Sequence, residues 1–245
     1  GDVEKQIGGY VASLIHDGDT LQLGIGAIPD AVLSFLGEKK DLGIHSEMFS
    51  DGVVDLANKG VITNKKKTID QGKFVSCFLM GTKKLYDFVN NNPDVLMKPV
   101  DYTNDPFVVA QIDNIISINS AMQVDLMGQV NAEMIGSRQF SGVGGQVDFV
   151  RGASRAKGGK AIIAMPSTTG KTKKISKIVA LLDEGAAVTT SRNDVDYVVT
   201  EYGIAALKGK TLRQRAEALI KIAHPDFRAE LIEEFEKRFH CKFEG

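Results

Sequence analysis

Thr20-Leu21-Gln22-Leu23-Gly24-Ile25-Gly26-Ala27-Ile28-Pro29-Asp30 decides the fold class. Residues 20–23 read as a short strand, 24–29 as a tight glycine turn, and a helical pattern resumes over 30–36. Upstream, Ile7, Val11, Leu14 and Ile15 recur at one-face helical spacing, with Asp2 as the expected N-cap. Asp17-Gly18-Asp19 stops that helix. Helix, strand, glycine loop and helix therefore succeed one another at the start of the chain.

The alternation continues outward. Residues 42–45 are short and apolar, and a helix is expected over 50–58 with Gly60 as its stop. A strand over 74–80 leads to a helix capped by Thr82, and 95–100 is extended. Residues 115–119, 122–126 and 129–131 read as successive short strands, with a turn at Met127-Gly128. A helix over 146–156 and Gly158-Gly159 lead into a strand over 160–165, which Pro166 ends. Residues 175–182 and 187–190 are strand candidates, and 211–223 and 225–239 are helices. The expectation is an α/β fold: a mostly parallel sheet flanked by helices, with an antiparallel portion. In such sheets ligands bind beyond the carboxyl ends of the strands, so glycine turns leaving a strand are where chemistry is sought.

Composition narrows the function classes. The 245 residues allow about 1.6 average domains, and the 43% hydrophobic and 25% charged content is ordinary for a globular chain. Thirty basic against 31 acidic residues argue against a dedicated nucleic-acid binder. No apolar run reaches membrane-spanning length, so no membrane partner is expected. Cys77 and Cys241 stand far apart, which points to a reducing, cytoplasmic setting. The chain opens Gly1-Asp2-Val3-Glu4 without an initiator Met or a signal-peptide pattern, which allows processing, a tag remnant or a fragment.

Two nucleotide motifs fail on inspection. Gly24-Ile25-Gly26-Ala27-Ile28-Pro29 begins like a dinucleotide fingerprint, but Pro29 stands where the third glycine belongs. Gly170-Lys171-Thr172 ends like a P-loop, but Met165 replaces the required upstream glycine, and Lys171, Lys173, Lys174 and Lys177 read as a solvated basic strand. His16, His224 and His240 make no metal-ligand spacing, so no metal is expected.

Two other segments carry more chemistry. In Ser141-Gly142-Val143-Gly144-Gly145-Gln146-Val147-Asp148-Phe149 three glycines precede a helix start, which gives either an anion or oxyanion site or a structural turn. In His45-Ser46-Glu47-Met48 the glutamate emerges at the carboxyl end of a short strand, as a nucleophile, a base or a capping group. Spacing alone does not choose.

Together with Gly128-Gln129-Val130-Asn131, Val199-Thr200-Glu201-Tyr202-Gly203-Ile204-Ala205 and Ile222-Ala223-His224-Pro225-Asp226-Phe227-Arg228, these segments occur in an order that resembles the C-terminal half of the acetyl-CoA hydrolase/transferase family, the class I CoA-transferases. The resemblance covers nearly the whole chain. It implies that residues 1–245 form the C-terminal CoA-transferase domain of a two-half protein whose N-terminal half is absent here. It implies Glu47 as nucleophile, Asn104 facing the thioester, and an oxyanion contribution from Gly144 and Gly145. Gly24, Gly26 and Ala27 match a segment lining the acyl or CoA pocket, and Gly142 and Gln146 belong with the substrate-binding loop. The implied reaction moves coenzyme A between a short-chain acyl-CoA, of butyryl-CoA or 4-hydroxybutyryl-CoA type, and a carboxylate such as acetate. It proceeds through a glutamyl-CoA thioester, with CoA as substrate and no tightly bound cofactor or metal. The implied partners are the N-terminal half and further copies in a homo-oligomer. An acyl-CoA hydrolase using the same glutamate, and a non-catalytic acyl-CoA-binding fragment, are the alternatives.

Overall fold

The computed structural model describes residues 1–170 and 172–244. At its centre lies a six-stranded sheet. Its strands are β1 (Thr20–Leu23), β2 (Gly43–Ile44), β3 (Ile115–Asn119), β4 (Lys160–Ala164), β5 (Tyr197–Thr200) and β6 (Gly203–Ala206). They lie in the order β6-β5-β4-β3-β1-β2. All neighbours are parallel except β5 and β6, an antiparallel pair at one edge. The mostly parallel α/β sheet expected from the sequence is therefore present.

Alternate residues of the inner strands serve opposite faces. Ile115, Ala161, Ile163 and Val198 join one buried cluster, while Ile116, Ile118, Ile162 and Val199 join the other. Both faces are thus covered, which is why these strands read as nearly continuous apolar runs. Helices α1 (Asp2–Ser13), α2 (Ala27–Ser34) and α3 (Asp51–Asn58) contribute Ile7, Val11, Val32, Leu33, Val53 and Val54 to one cluster. Helix α5 (Gln146–Arg155), after the short α4 (Val100–Thr103), contributes Phe149 and Val150 to the other, with α6 (Leu212–Ile222) and α7 (Pro225–Phe239).

Several local expectations need correction. Gly1, not Asp2, is the N-cap of α1, and Asp2 is its first helical residue. The 24–29 turn is shorter than expected: α2 begins at Ala27, so Pro29 lies in its first turn, where a missing N–H costs nothing. The strand over 74–80 breaks at Cys77 into Phe74–Ser76 and Phe78–Leu79, which pair with different partners, Val95–Met97 and Met48–Phe49. The extended reading of 95–100 ends early, because Val100 already starts α4. Residues 175–182 contain only Ile175–Ser176 and Ile178–Val179, and 187–190 contributes a single bridge from Thr190 to Val130. Lys171, part of the P-loop-like stretch, lies outside the described residues. Lys177 is half-buried rather than solvated, and burial pushes its ammonium down to about 8.

The chain that leaves the edge strand β2 bears Glu47. Asn64, wholly buried with φ +57, accepts from the Ile44 N–H at 2.8 Å and so closes the outer side of β2. Asn tolerates this left-handed backbone better than most residues. Asn64→Ala is expected to destabilise the fold by roughly 2–3 kcal/mol, from backbone strain and an orphaned buried N–H. Urea unfolding measures it; a change under about 0.5 kcal/mol would show that β2 needs no such closure.

Candidate active site

Between residues 43 and 49 the chain changes partners. His45 N–H still donates to the Leu21 carbonyl of β1, at 3.2 Å. Ser46 N–H instead donates to the Val75 carbonyl, at 3.1 Å. The Glu47 carbonyl then accepts from Cys77 N–H at 3.0 Å and Phe78 N–H at 3.1 Å. Ser46 Oγ donates back to the Leu23 carbonyl at 3.0 Å, pinning the crossover to the end of β1. The backbone of Glu47 is thus fixed at the seam between two sheets, and its half-buried side chain projects at the carboxyl edge. This is where ligands bind in open α/β sheets.

Asn104, directly after α4, donates from Nδ2 to Glu47 Oε2 at 2.9 Å. The Asn104 Oδ1 accepts from Thr103 Oγ1 at 3.0 Å, which orients the amide. Gly145, the N-cap of α5, closes the third side. Its backbone angles are ordinary (φ −87°, ψ 3°), so conformation does not require glycine there. Space does: a Cβ on Gly145 would overlap Glu47 Oε2 and stand 2.6 Å from Asn104 Nδ2. Gly144 is glycine for the opposite reason: its φ is +59°, while a Cβ would meet open space. Phe149 N–H makes the first bond back to Gly145, so the amides of Gln146, Val147 and Asp148 form the unpaired first turn of α5, beside the carboxylate.

A cavity of about 160 Å³ opens on Glu47, with Gln22, Gly24, Phe78, Asn119, Gly145 and Gln146 among its walls. A smaller one of about 120 Å³ adjoins it through Gly24 and Asn119. The structure therefore brings Glu47, Asn104, Gly145, Gln146 and Gly24 together. Gln146 is anchored at both ends of its amide, donating to the Ser120 carbonyl at 2.6 Å and accepting from Thr190 Oγ1 at 2.9 Å. Gly26, Ala27 and Gly142 are exposed and do not line the Glu47 cavity. Gly26 borders a larger cavity, about 420 Å³, between α2 and α3. Asp30, Asp51 and Asp55 line it together with Lys59.

Sequence reasoning passed over part of the site. Gln22, Ser117 and Asn119 form a polar ladder across β1 and β3, with Ser117 Oγ 2.6 Å and Asn119 Nδ2 3.0 Å from Gln22 Oε1. Polar residues inside otherwise apolar strands were the available signal. Asp148, half-buried in the first turn of α5, has its carboxyl pushed up by burial and by the nearby charges of Glu47 and Asp105, against the pull of Arg151. No group of three His, Cys, Asp or Glu side chains that could hold a metal occurs among the described residues, and no described helix is long and apolar enough to cross a membrane.

His45 is buried beneath the site, and burial pushes its imidazole down to about 4. The unfolded chain takes up that proton near the ordinary value of 6.5, so between 6.5 and 4 the unfolded state holds more protons and folding weakens as pH falls. The loss is expected to reach about 3 kcal/mol by the lower end of that window, and to be absent from His45→Gln. Urea midpoints measured from neutral pH downward check it; parallel pH curves for both proteins would contradict it.

The chain belongs to the acetyl-CoA hydrolase/transferase family: residues 81–235 match the model of its C-terminal domain. It is 71% identical over 239 residues to the 4-hydroxybutyrate coenzyme A transferase of Clostridium kluyveri, covering 98% of this chain and 56% of that one. It is 50% identical to the butyryl-CoA:acetate CoA-transferase of Anaerostipes caccae, covering 96% and 54%. The crystal structure of 4-hydroxybutyrate CoA-transferase from Porphyromonas gingivalis superposes with a TM-score of 0.86 at 55% identity, covering 98% of this chain and 56% of that one. The chain spans about half the length of the relatives it matches.

Proposed function

We propose that the protein containing this chain transfers CoA between a short-chain acyl-CoA, of 4-hydroxybutyryl or butyryl type, and a carboxylate such as acetate. The observation that carries this reading is the convergence of Asn104 Nδ2 and the Gly145 backbone on the Glu47 carboxylate. Asn104 engages Oε2 and leaves Oε1 to attack.

Glu47 Oε1 adds to the thioester carbonyl, and collapse expels CoA thiolate and leaves an acyl-glutamyl anhydride. The thiolate then attacks the Glu47 carbonyl of the anhydride, releasing the first carboxylate and leaving a glutamyl-CoA thioester. The acceptor acid reverses the sequence and carries CoA away. Each step retains an activated acyl group, so no nucleotide hydrolysis is needed. Each also passes through a tetrahedral oxyanion, for which the Asn104 amide and the open first turn of α5 that follows Gly145 supply the donors at hand; one such donor is typically worth roughly 3–4 kcal/mol.

In this reading an N-terminal half covers the open site, and the assembly is a homo-oligomer. Exposed apolar side chains support such cover: Phe78 in the cavity wall, and Phe140 and Val143 beside Gly142. CoA enters as substrate, with no tightly bound cofactor. The free Cys77 and Cys241 favour a cytoplasmic setting. Transfer is favoured over hydrolysis because relatives at 71% and 50% identity are named as transferases. The test is acetate-dependent CoA transfer against thiol release without acceptor, each with and without the N-terminal half. Transfer that rises at least tenfold on adding that half supports the reading. Thiol release indifferent to acetate means a hydrolase, and binding without turnover means an acyl-CoA-binding module.

A further inference from the structure

His45 is wholly buried, sits two residues before Glu47, and has no part in the chemistry above. Its Nε2 lies 2.9 Å from the Thr103 carbonyl oxygen. A carbonyl only accepts, so Nε2 carries the proton and Nδ1 is the bare nitrogen; Nδ1 is buried without a partner. Thr103 is the last residue of α4, where carbonyls lack intrahelical donors, and the imidazole supplies one. The next residue is Asn104, whose Nδ2 meets Glu47 Oε2 and whose Oδ1 is held by Thr103 Oγ1. A closed circuit results: Glu47 carboxylate, Asn104 amide, Thr103 carbonyl, His45 imidazole, and the strand backbone back to Glu47. The His45 ring also packs edge-on against Phe149 of α5, centroids 6.4 Å apart, and lies 6.2 Å from the Tyr102 ring.

We infer that His45 is a positioning residue, which holds the Thr103–Asn104 segment against the strand of Glu47 and acts on the reaction only through Asn104. This rests on the CoA-transferase reading. Burial leaves the ring uncharged, against the pull of the Thr103 carbonyl, and the charged groups around it do not reverse this. Lys67, held by the Ile44 and Lys73 carbonyls, opposes a second positive charge, while Asp70 favours one but is already engaged by the Tyr102 hydroxyl at 2.8 Å. Burial outweighs both. A neutral ring keeps the donor on Nε2 throughout the working pH range.

The test measures acetate-dependent CoA transfer by the enzyme with its N-terminal half, for wild type, His45→Leu, His45→Gln, Asn104→Ala and the His45→Leu/Asn104→Ala pair. His45→Leu is expected to lower kcat about tenfold, with KM for acyl-CoA changed by no more than about twofold. His45→Gln, whose Nε2–H can reach the same carbonyl, restores most of the loss. In the Asn104→Ala background, His45→Leu is expected to cost no more than about twofold further. Equal losses in both backgrounds, or no rescue by glutamine, would overturn the inference, because a merely structural histidine gives that pattern. A readout independent of turnover is the nitrogen NMR spectrum of the His45 ring, which should show the proton on Nε2 from about pH 8 to pH 5. A proton on Nδ1 would also overturn it. A wild type without CoA transfer removes the transferase reading and the circuit's role with it; additive losses in an active wild type remove the circuit's role alone.

Discussion

Glu47→Gln is expected to lower acyl-CoA:acetate CoA transfer by at least about four orders of magnitude, with the fold unchanged. Glutamine matches glutamate in shape, and its Oε1 can still accept from Asn104 Nδ2, which now meets Glu47 Oε2 at 2.9 Å. The backbone anchors at Cys77 and Phe78 are untouched by the change. What disappears is the anionic oxygen that the proposed mechanism sets against the thioester, and an amide forms neither the anhydride nor the glutamyl thioester. kcat measured with the N-terminal half present is the readout. Turnover within tenfold of wild type would mean that another group is the nucleophile.

Gly145→Val is expected to lower kcat by roughly three orders of magnitude while thermal stability changes little. The added side chain would occupy the space of Glu47 Oε2 and press on Asn104 Nδ2, so carboxylate and amide must separate. Valine can adopt φ −87° at the helix N-cap, so the damage is to the site rather than the backbone. Gly144→Val behaves differently. It meets open space but forces a β-branched residue to φ +59°, so it strains the loop, by roughly 1–2 kcal/mol, without striking Glu47. Comparing kcat and unfolding midpoints of the two variants separates contact from conformation. Normal turnover by Gly145→Val would exclude its backbone from the reacting centre.

The central strands were legible because parallel strands buried on both faces read as short apolar runs, and β1, β3 and β4 lie where the periodicity put them. Glu47 was legible as a carboxylate leaving a strand, and the helix start after Gly145 as a glycine cluster before an apolar pattern. The antiparallel pair β5 and β6 is not legible as strands, because each arm is only four residues long and the second, Gly203-Ile204-Ala205-Ala206, consists mostly of residues with little strand preference. The break at Cys77 was invisible because only the partner strands, 74–76 with 95–97 and 78–79 with 48–49, divide that stretch. Spacing could not distinguish Gly144 from Gly145, since one is required by backbone angle and the other by contact with Glu47. Asn104 and His45 carried no local signal. Their roles lie in contacts 57 and 58 residues away along the chain, which no periodicity reports.

The nucleophile itself is tested most directly by trapping. The enzyme, with its N-terminal half, is incubated with butyryl-CoA or 4-hydroxybutyryl-CoA and no acceptor acid, then treated with borohydride and mapped by peptide mass spectrometry. The account predicts one modified residue, Glu47, its glutamyl-CoA thioester reduced to the primary alcohol, with labelling suppressed when excess acetate is present to discharge the intermediate. Labelling of a different carboxylate such as Asp148, or transfer at full rate with no trapped residue at all, would contradict it.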